Sequence, residues 1–274
     1  RPESVRWPRP SPRSPPTSSP SGVDAVAGEP HLTPALILGS IRYGETSRIV
    51  RLLTRDQGMI SAIAKGALRP KSRFGAALQL LSEGQAHLLQ SRSGDLHTLI
   101  AFDLSATHGG LAAELGRFRA ASALAELAVR FIPPVPNPDL FDQVRQAVAL
   151  IELAPPDAVD VVGLRALWRL IAELGLGPSL EECARDGVPI PPGDASFSLG
   201  DGGFLCAGCA RGTGATRMAA EDRDALQALL VPGEQLPMLD GPHAAAHRRL
   251  LARWVGHHLS DGTLPALEAW RRAG

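Results

Sequence analysis

Five short apolar runs crowd into residues 35–102, each fenced by turn residues and none long enough to make a helix. They are 35–41 (ALILGSI), 47–54 (SRIVRLLT), 59–64 (MISAIA), 83–90 (EGQAHLLQ) and 96–102 (LHTLIAF). Tyr43-Gly44-Glu45, Arg55-Asp56-Gln57-Gly58 and Ser91-Arg92-Ser93-Gly94-Asp95 read as the turns between them. In the last run Leu96, Thr98, Ile100 and Phe102 fall on one face, the period of two that a half-buried strand needs. Five strands in about seventy residues predict a small closed barrel. The OB-fold is the five-stranded option, and an SH3-like barrel fits the count nearly as well.

Beyond Phe102 the period lengthens. Leu111, Leu115 and Phe118, then Leu124, Leu127 and Phe131, step by four and three, as one face of a helix does. The prolines of 132–138 stop it. A second helix is expected over 139–153. In a third, Leu164, Leu167, Trp168, Ile171 and Leu174 share a face. Residues 178–217 are rich in Gly and Pro, show no period and hold all three cysteines. Helix returns at 218–230 and 243–259, with a short last one after Pro265. The chain therefore divides into three parts. Residues 1–30 are a Pro/Ser/Arg-rich tail with too little apolar surface to fold, 31–104 a barrel, and 105–274 an all-α domain with an inserted cysteine module at about 178–217. The first residue is Arg rather than Met, which points to a fragment or a misassigned start.

Charge decides where a partner can bind. The 28 basic and 28 acidic residues cancel, so nucleic acid would have to be met by a local cluster. The segment AKGALRPKSRFG (64–75) supplies one: Lys65, Arg69, Lys71 and Arg73 within nine residues and no acid among them. Gly66 and Pro70 make a continuous helix or strand there unfavourable, so a flexible basic connection between two barrel strands is expected. Loops at the rim of an OB barrel line its groove, and cationic groups there can follow a phosphate backbone and release its counterions. Arg42, Arg51 and Arg92 are expected to extend this DNA-binding surface. Stacking aromatics are few. Tyr43 and Phe74 are the local candidates, and Phe74 serves equally well as a core plug. A solvated loop that touches only water is the competing reading.

Cys206-Ala-Gly-Cys209 and Cys183-Ala-Arg-Asp186 have the spacing of a four-cysteine zinc ribbon with Asp in one place. Carboxylate is a normal zinc ligand, so Cys183, Asp186, Cys206 and Cys209 form a candidate site for one structural zinc ion. A loop held by packing alone is the alternative. Catalytic readings find little support. A zinc deaminase needs H-x-E before P-C-x-x-C, and neither is present. His243 and His247 lack the Glu of H-E-x-x-H, and there is no Walker loop, G-x-G-x-x-G or G-x-S-x-G. No apolar run approaches a membrane span, and an odd number of cysteines, two of them close together, suits a reducing, cytoplasmic compartment better than a disulfide framework.

The run from Tyr43-Gly44-Glu45 through Ala64-Lys65-Gly66-Ala67-Leu68-Arg69-Pro70-Lys71-Ser72-Arg73-Phe74-Gly75-Ala76-Ala77-Leu78-Gln79 resembles the RecO family of bacterial recombination mediators, as does the order barrel, helices, cysteine pairs. The resemblance covers about residues 32–259. It implies an OB barrel, a helical bundle and an optional zinc module. It further implies a non-enzymatic DNA-repair protein of the nucleoid that binds single- and double-stranded DNA and anneals complementary strands. With RecR it would help load RecA onto DNA coated by the single-strand-binding protein SSB. The acidic, hydrophobic SSB tail would dock on the helical domain, with Arg117, Arg119 and Arg130 as candidate contacts. Three positions depart from the family: Leu68 where a further basic residue is common, Leu80 where Pro is common, and Asp186 for the fourth metal cysteine. An RNA-binding OB protein and a zinc-dependent nucleic-acid enzyme are the competing functions.

Overall fold

A computed structural model describes residues 30–91, 95–233, 235–259 and 262–272. Apart from Pro30, the expected tail lies outside these residues, and so does Arg92.

Strands β1 (His31–Tyr43), β2 (Ser47–Thr54), β3 (Gly58–Ala64), β4 (Glu83–Leu89) and β5 (Leu96–Ala106) close a barrel in the order β1-β2-β3-β5-β4. The parallel pairing of β3 with β5, Ser61 to Leu96, closes it and selects the OB arrangement over the SH3-like one. Strand β1 is long because it serves two neighbours, pairing with β4 over His31–Leu36 and with β2 over Ala35–Tyr43. Its apolar run is continuous because both faces are buried. Ala35 and Ile37 point into the barrel, and Leu36 and Leu38 point out against the helices.

Residues 65–82 are a run of tight turns rather than a free arc. Hydrogen bonds such as Arg69 N to Gly66 O (3.1 Å), Ser72 N to Arg69 O (3.0 Å) and Ala77 N to Phe74 O (2.8 Å) stitch each turn to the next. Phe74, Ala77 and Leu78 drop into the barrel core as its plug. The connection expected to be flexible is therefore pinned by Phe74, Ala77, Leu78 and Leu81, while its basic side chains face water.

The helical part comprises α1 (Leu115–Phe131), α2 (Pro138–Leu153), α3 (Val159–Glu173), a short α4 (Ala207–Ala210), α5 (Ala220–Leu230), α6 (Gly241–His258) and α7 (Pro265–Arg271). The face of α1 that carries Ala120, Ala121, Ala123 and Ala128 is small enough for close crossings. A Cβ on Gly163 of α3 would lie 3.0 Å from that of Ala120. The segment read as irregular contains a small sheet, β7-β6-β8, built from β6 (Ala195–Ser198), β7 (Gly203–Leu205) and β8 (Thr216–Met218).

Barrel and helices share one core. Leu36, Leu38, Leu53, Met59 and Leu81 pack in the same cluster as the buried faces of α1 and α2. Polar ties seal the joint. Glu152 accepts from Gly110 N (2.8 Å) and meets His108 Nδ1 (2.7 Å), and Arg55 pairs with Asp142 (3.2 Å). At Gly58, φ is +69° and a Cβ would stand 2.4 Å from Val135 O, so the β2–β3 corner sits directly on the α1–α2 connection.

Candidate nucleic-acid interface and metal cluster

Strand register gathers cations at one mouth of the barrel. Arg42 of β1 lies directly opposite Arg48 of β2, and Arg48 in turn opposite Ala64 of β3, whose next residue is Lys65. At about 4.8 Å per strand, this sets the two arginines side by side at the barrel end where Lys65 follows β3. Leu68 N donates to Thr46 O (2.8 Å), folding the loop back over the β1–β2 hairpin. Arg69, Lys71 and Arg73 thus extend the same band, and Lys65, Arg69, Lys71 and Arg73 are all exposed. Like charges placed directly across a strand pair repel, so the Arg42–Arg48 row is held together against its own field. Arg48 donates to Ser40 Oγ (2.8 Å) and Arg42 reaches Glu45 O (3.4 Å). Arg73 stacks 5.2 Å from the ring centroid of Phe74. A hollow of about 300 Å³ beside the band is lined by Ser40, Arg48, Ala67 and Gln79. Exposed Tyr43 and Ile41 project from the same hairpin.

The other sequence candidates fall elsewhere. Three residues from Arg48, Arg51 points to the opposite side of the sheet, where it donates to Ser61 Oγ (2.7 Å) and Val129 O (3.5 Å). It belongs to the joint with α1, away from the basic mouth. Arg92 lies outside the described residues. Phe74 is the barrel plug and offers no stacking face to a base.

The cysteine module brings its four ligands together. One donor atom from each of Cys183, Asp186, Cys206 and Cys209 lies within 4.8 Å of the other three. Two knuckles do this. Gly187, at φ +72°, turns the first back so that its N–H bonds Cys183 O (2.9 Å). Cys206 caps α4 in the second, its sulfur accepting from Cys209 N (3.4 Å). Asp186 Oδ2 receives the thiols of Cys209 (3.2 Å) and Cys206 (3.4 Å). A zinc tetrahedron with sulfurs at about 2.3 Å and a carboxylate oxygen at about 2.1 Å has sulfur–oxygen edges of about 3.6 Å, so the donor set fits the ion. Hydrogen bonds from Cys183, Cys209 and the Val188 amide hold the Asp186 carboxyl at about 2. The Asp186 carboxylate and the Cys206 sulfur push the Cys209 thiol up to about 12. Burial opposes ionisation of Cys183, but the amides of Cys206, Asp186 and Arg185 outweigh it and hold this thiol below its ordinary value. Without a cation Cys209 keeps its proton beside the Asp186 carboxylate. A divalent metal takes that proton's place.

Sequence comparison bears on both halves. The sequence model for the recombination protein O N-terminal region matches residues 30–108, and that for its C-terminal region matches 113–268. The chain belongs to the recombination protein O family. Proteins named DNA repair protein RecO are similar along most of its length. The one from Anaeromyxobacter dehalogenans strain 2CP-C is 33% identical over 234 residues, covering 82% of this chain and 89% of its own. That from Streptomyces griseus is 34% identical over 202 residues, covering 71% and 80%. That from Rubrobacter xylanophilus is 32% identical over 174, covering 64% and 69%. RecO proteins are recombination mediators and not catalysts, so the site should be understood as a binding surface. Among the described residues, no helix is long and apolar enough to cross a membrane.

Two groups that position the RecO module escape a reading of motifs. Arg223, buried in α5, donates to the carbonyls of Pro191 (2.5 Å), Gly193 (3.2 Å) and Ile190 (3.2 Å) and lies over the Phe204 ring. Phe197, Phe204 and Leu205 anchor the small sheet in the main core against Trp254. The module therefore has apolar anchors of its own. Nothing in the local sequence marks Arg223 for this work, because its partners are some 30 residues away.

Proposed function

We propose that the protein binds single- and double-stranded DNA at the basic mouth of its barrel, anneals complementary strands, and with RecR helps RecA onto SSB-coated DNA. The observation that carries the reading is the Arg42–Arg48 cross-strand pair at the barrel end where Lys65 follows β3 and the turns bearing exposed Arg69, Lys71 and Arg73 fold back over the β1–β2 hairpin. Neutralising phosphates on two strands at once lowers their mutual repulsion and lets bases pair, and no bond to the protein need form or break. Tyr43, exposed on the hairpin, supplies a stacking surface.

Changing Lys65, Arg69, Lys71 and Arg73 together to Ala should weaken single-strand binding for every sequence tested. It should also flatten the plot of log affinity against log salt by up to about 3, near 0.7 per lost phosphate contact. An unchanged slope rejects this surface. Annealing of SSB-coated complementary oligonucleotides, with and without RecR, tests the mediator step itself. For the SSB tail, Arg130 is the best placed of the three candidates. It rims a groove of about 640 Å³ between barrel and α1, lined by Leu38, Ile41, Ile49 and Leu264. Arg117, by contrast, spends its Nε on Ala154 O (3.0 Å).

The cluster of Cys183, Asp186, Cys206 and Cys209 is assigned one structural zinc ion that locks the two knuckles together. Metal analysis should find about one zinc per chain, lost in Asp186→Ala and kept in Asp186→Cys. A wild-type chain purified without chelators and free of zinc would reject the assignment.

A further inference from the structure

Far from the basic mouth in sequence, a groove of about 980 Å³ opens between the N-terminal ends of α3 and α5 and the segment 235–240. Its floor is apolar, with Val161, Ala225 and Leu236, and Met238 stands fully exposed beside them. The 235–240 segment is strapped over α3 by Arg165, whose Nη2 donates to Gln235 O and Ala228 O, both at 2.8 Å. Carboxylates rim the groove. Asp240 is occupied capping α6 and holding His243 (2.6 Å), and Asp222 faces His247 (3.3 Å). Asp157, Glu221 and Asp224 are exposed and make no hydrogen bond or ion pair with another described residue.

Five carboxylates line this apolar floor against one basic side chain, His243, which Asp240 already engages; that excess of negative charge suits an occupant that is cationic and also carries apolar rings. We propose that this occupant is the segment 1–13 of the same chain, RPESVRWPRPSPR. It has four arginines against one glutamate, four prolines and Trp7. Its prolines restrict the backbone before docking, so less entropy is lost on binding. Residues 14–29, at about 3.1 Å each when extended, span about 50 Å, comparable to the width of a protein of this size. The basic loop of a second copy matches the charge but not the floor, because its Phe74 is buried in its own barrel.

Limited trypsin digestion of the full chain at low salt tests this, with cleavage after Arg6 and Arg13 followed by mass spectrometry. A tethered segment at an effective concentration of order 1 mM, binding with a Kd of about 0.1 mM, is docked about nine-tenths of the time. Cleavage should then run about tenfold slower than in Asp157→Asn/Glu221→Gln/Asp224→Asn. High salt should abolish the difference, and cleavage after Lys65 should be the same in both proteins. The three substitutions change only exposed, unpaired side chains, so the variant is expected to fold. Equal tail cleavage in both proteins at low salt would overturn the proposal. So would self-association that the triple variant loses while tail cleavage stays the same, since that outcome assigns the groove to a second copy.

Discussion

Single residues carry much of this molecule's specification. Gly58 combines a left-handed backbone with a carbonyl 2.4 Å from where a Cβ would stand. Gly58→Ala should therefore cost at least about 2 kcal/mol in denaturant unfolding, well above the usual penalty for strain alone. His247 is the clearest source of pH dependence. Burial lowers its pKa below the ordinary 6.5, even though Asp222 nearby pulls it up. The folded state then binds this proton less readily than the unfolded chain does. The contribution is complete above about 6.5 and is lost as pH falls below it. His247→Gln should flatten the fall in urea midpoint between pH 7.5 and 5.5. Little of this shows in sequence. His247 reads as a helix residue lacking a metal motif, and its burial depends on α5 and the small sheet folding around it.

At the scale of elements, the barrel plug and the neighbouring arginines separate stability from binding. Phe74→Ala should destabilise by about 3–5 kcal/mol, as removal of a buried aromatic does. Arg48→Ala should lower the salt dependence of DNA binding by about 0.7 with little effect on stability. Arg51→Ala should do the reverse, because its guanidinium bridges β3 and α1. The five strands were legible from period and turns. The excess length of β1 was not, since Pro34 resembles a strand breaker yet sits opposite Gln85 within the β1–β4 ladder. The β6–β8 sheet was invisible because strands of three or four residues are too short to show alternation. Among the site residues, the basic band could be read from composition. The side of the sheet that Arg51 occupies could be fixed only by a contact 78 positions away.

Over the whole molecule, two features follow from how the parts are joined. Barrel and helices share a core through Leu36, Leu38, Leu53 and Met59, so they should unfold together. Calorimetry should show one transition, and Leu38→Ala should lower it without splitting it. The charges are also sorted in space. Residues 30–106 hold nine basic and five acidic side chains, whereas 107–274 hold fifteen and twenty. A zero total thus conceals a molecule with two poles.

Arg42 and Arg48, opposite each other on β1 and β2, give dissolved ions two opposite effects. In the free protein, added sodium chloride screens the like charges gathered at that barrel end and should raise the melting temperature slightly. In the nucleoprotein complex the same salt competes with the protein for phosphate and loosens the grip. A short polyanion with no bases at all should thermally protect the fold, because filling that rim relieves an internal tension whatever else the polymer carries.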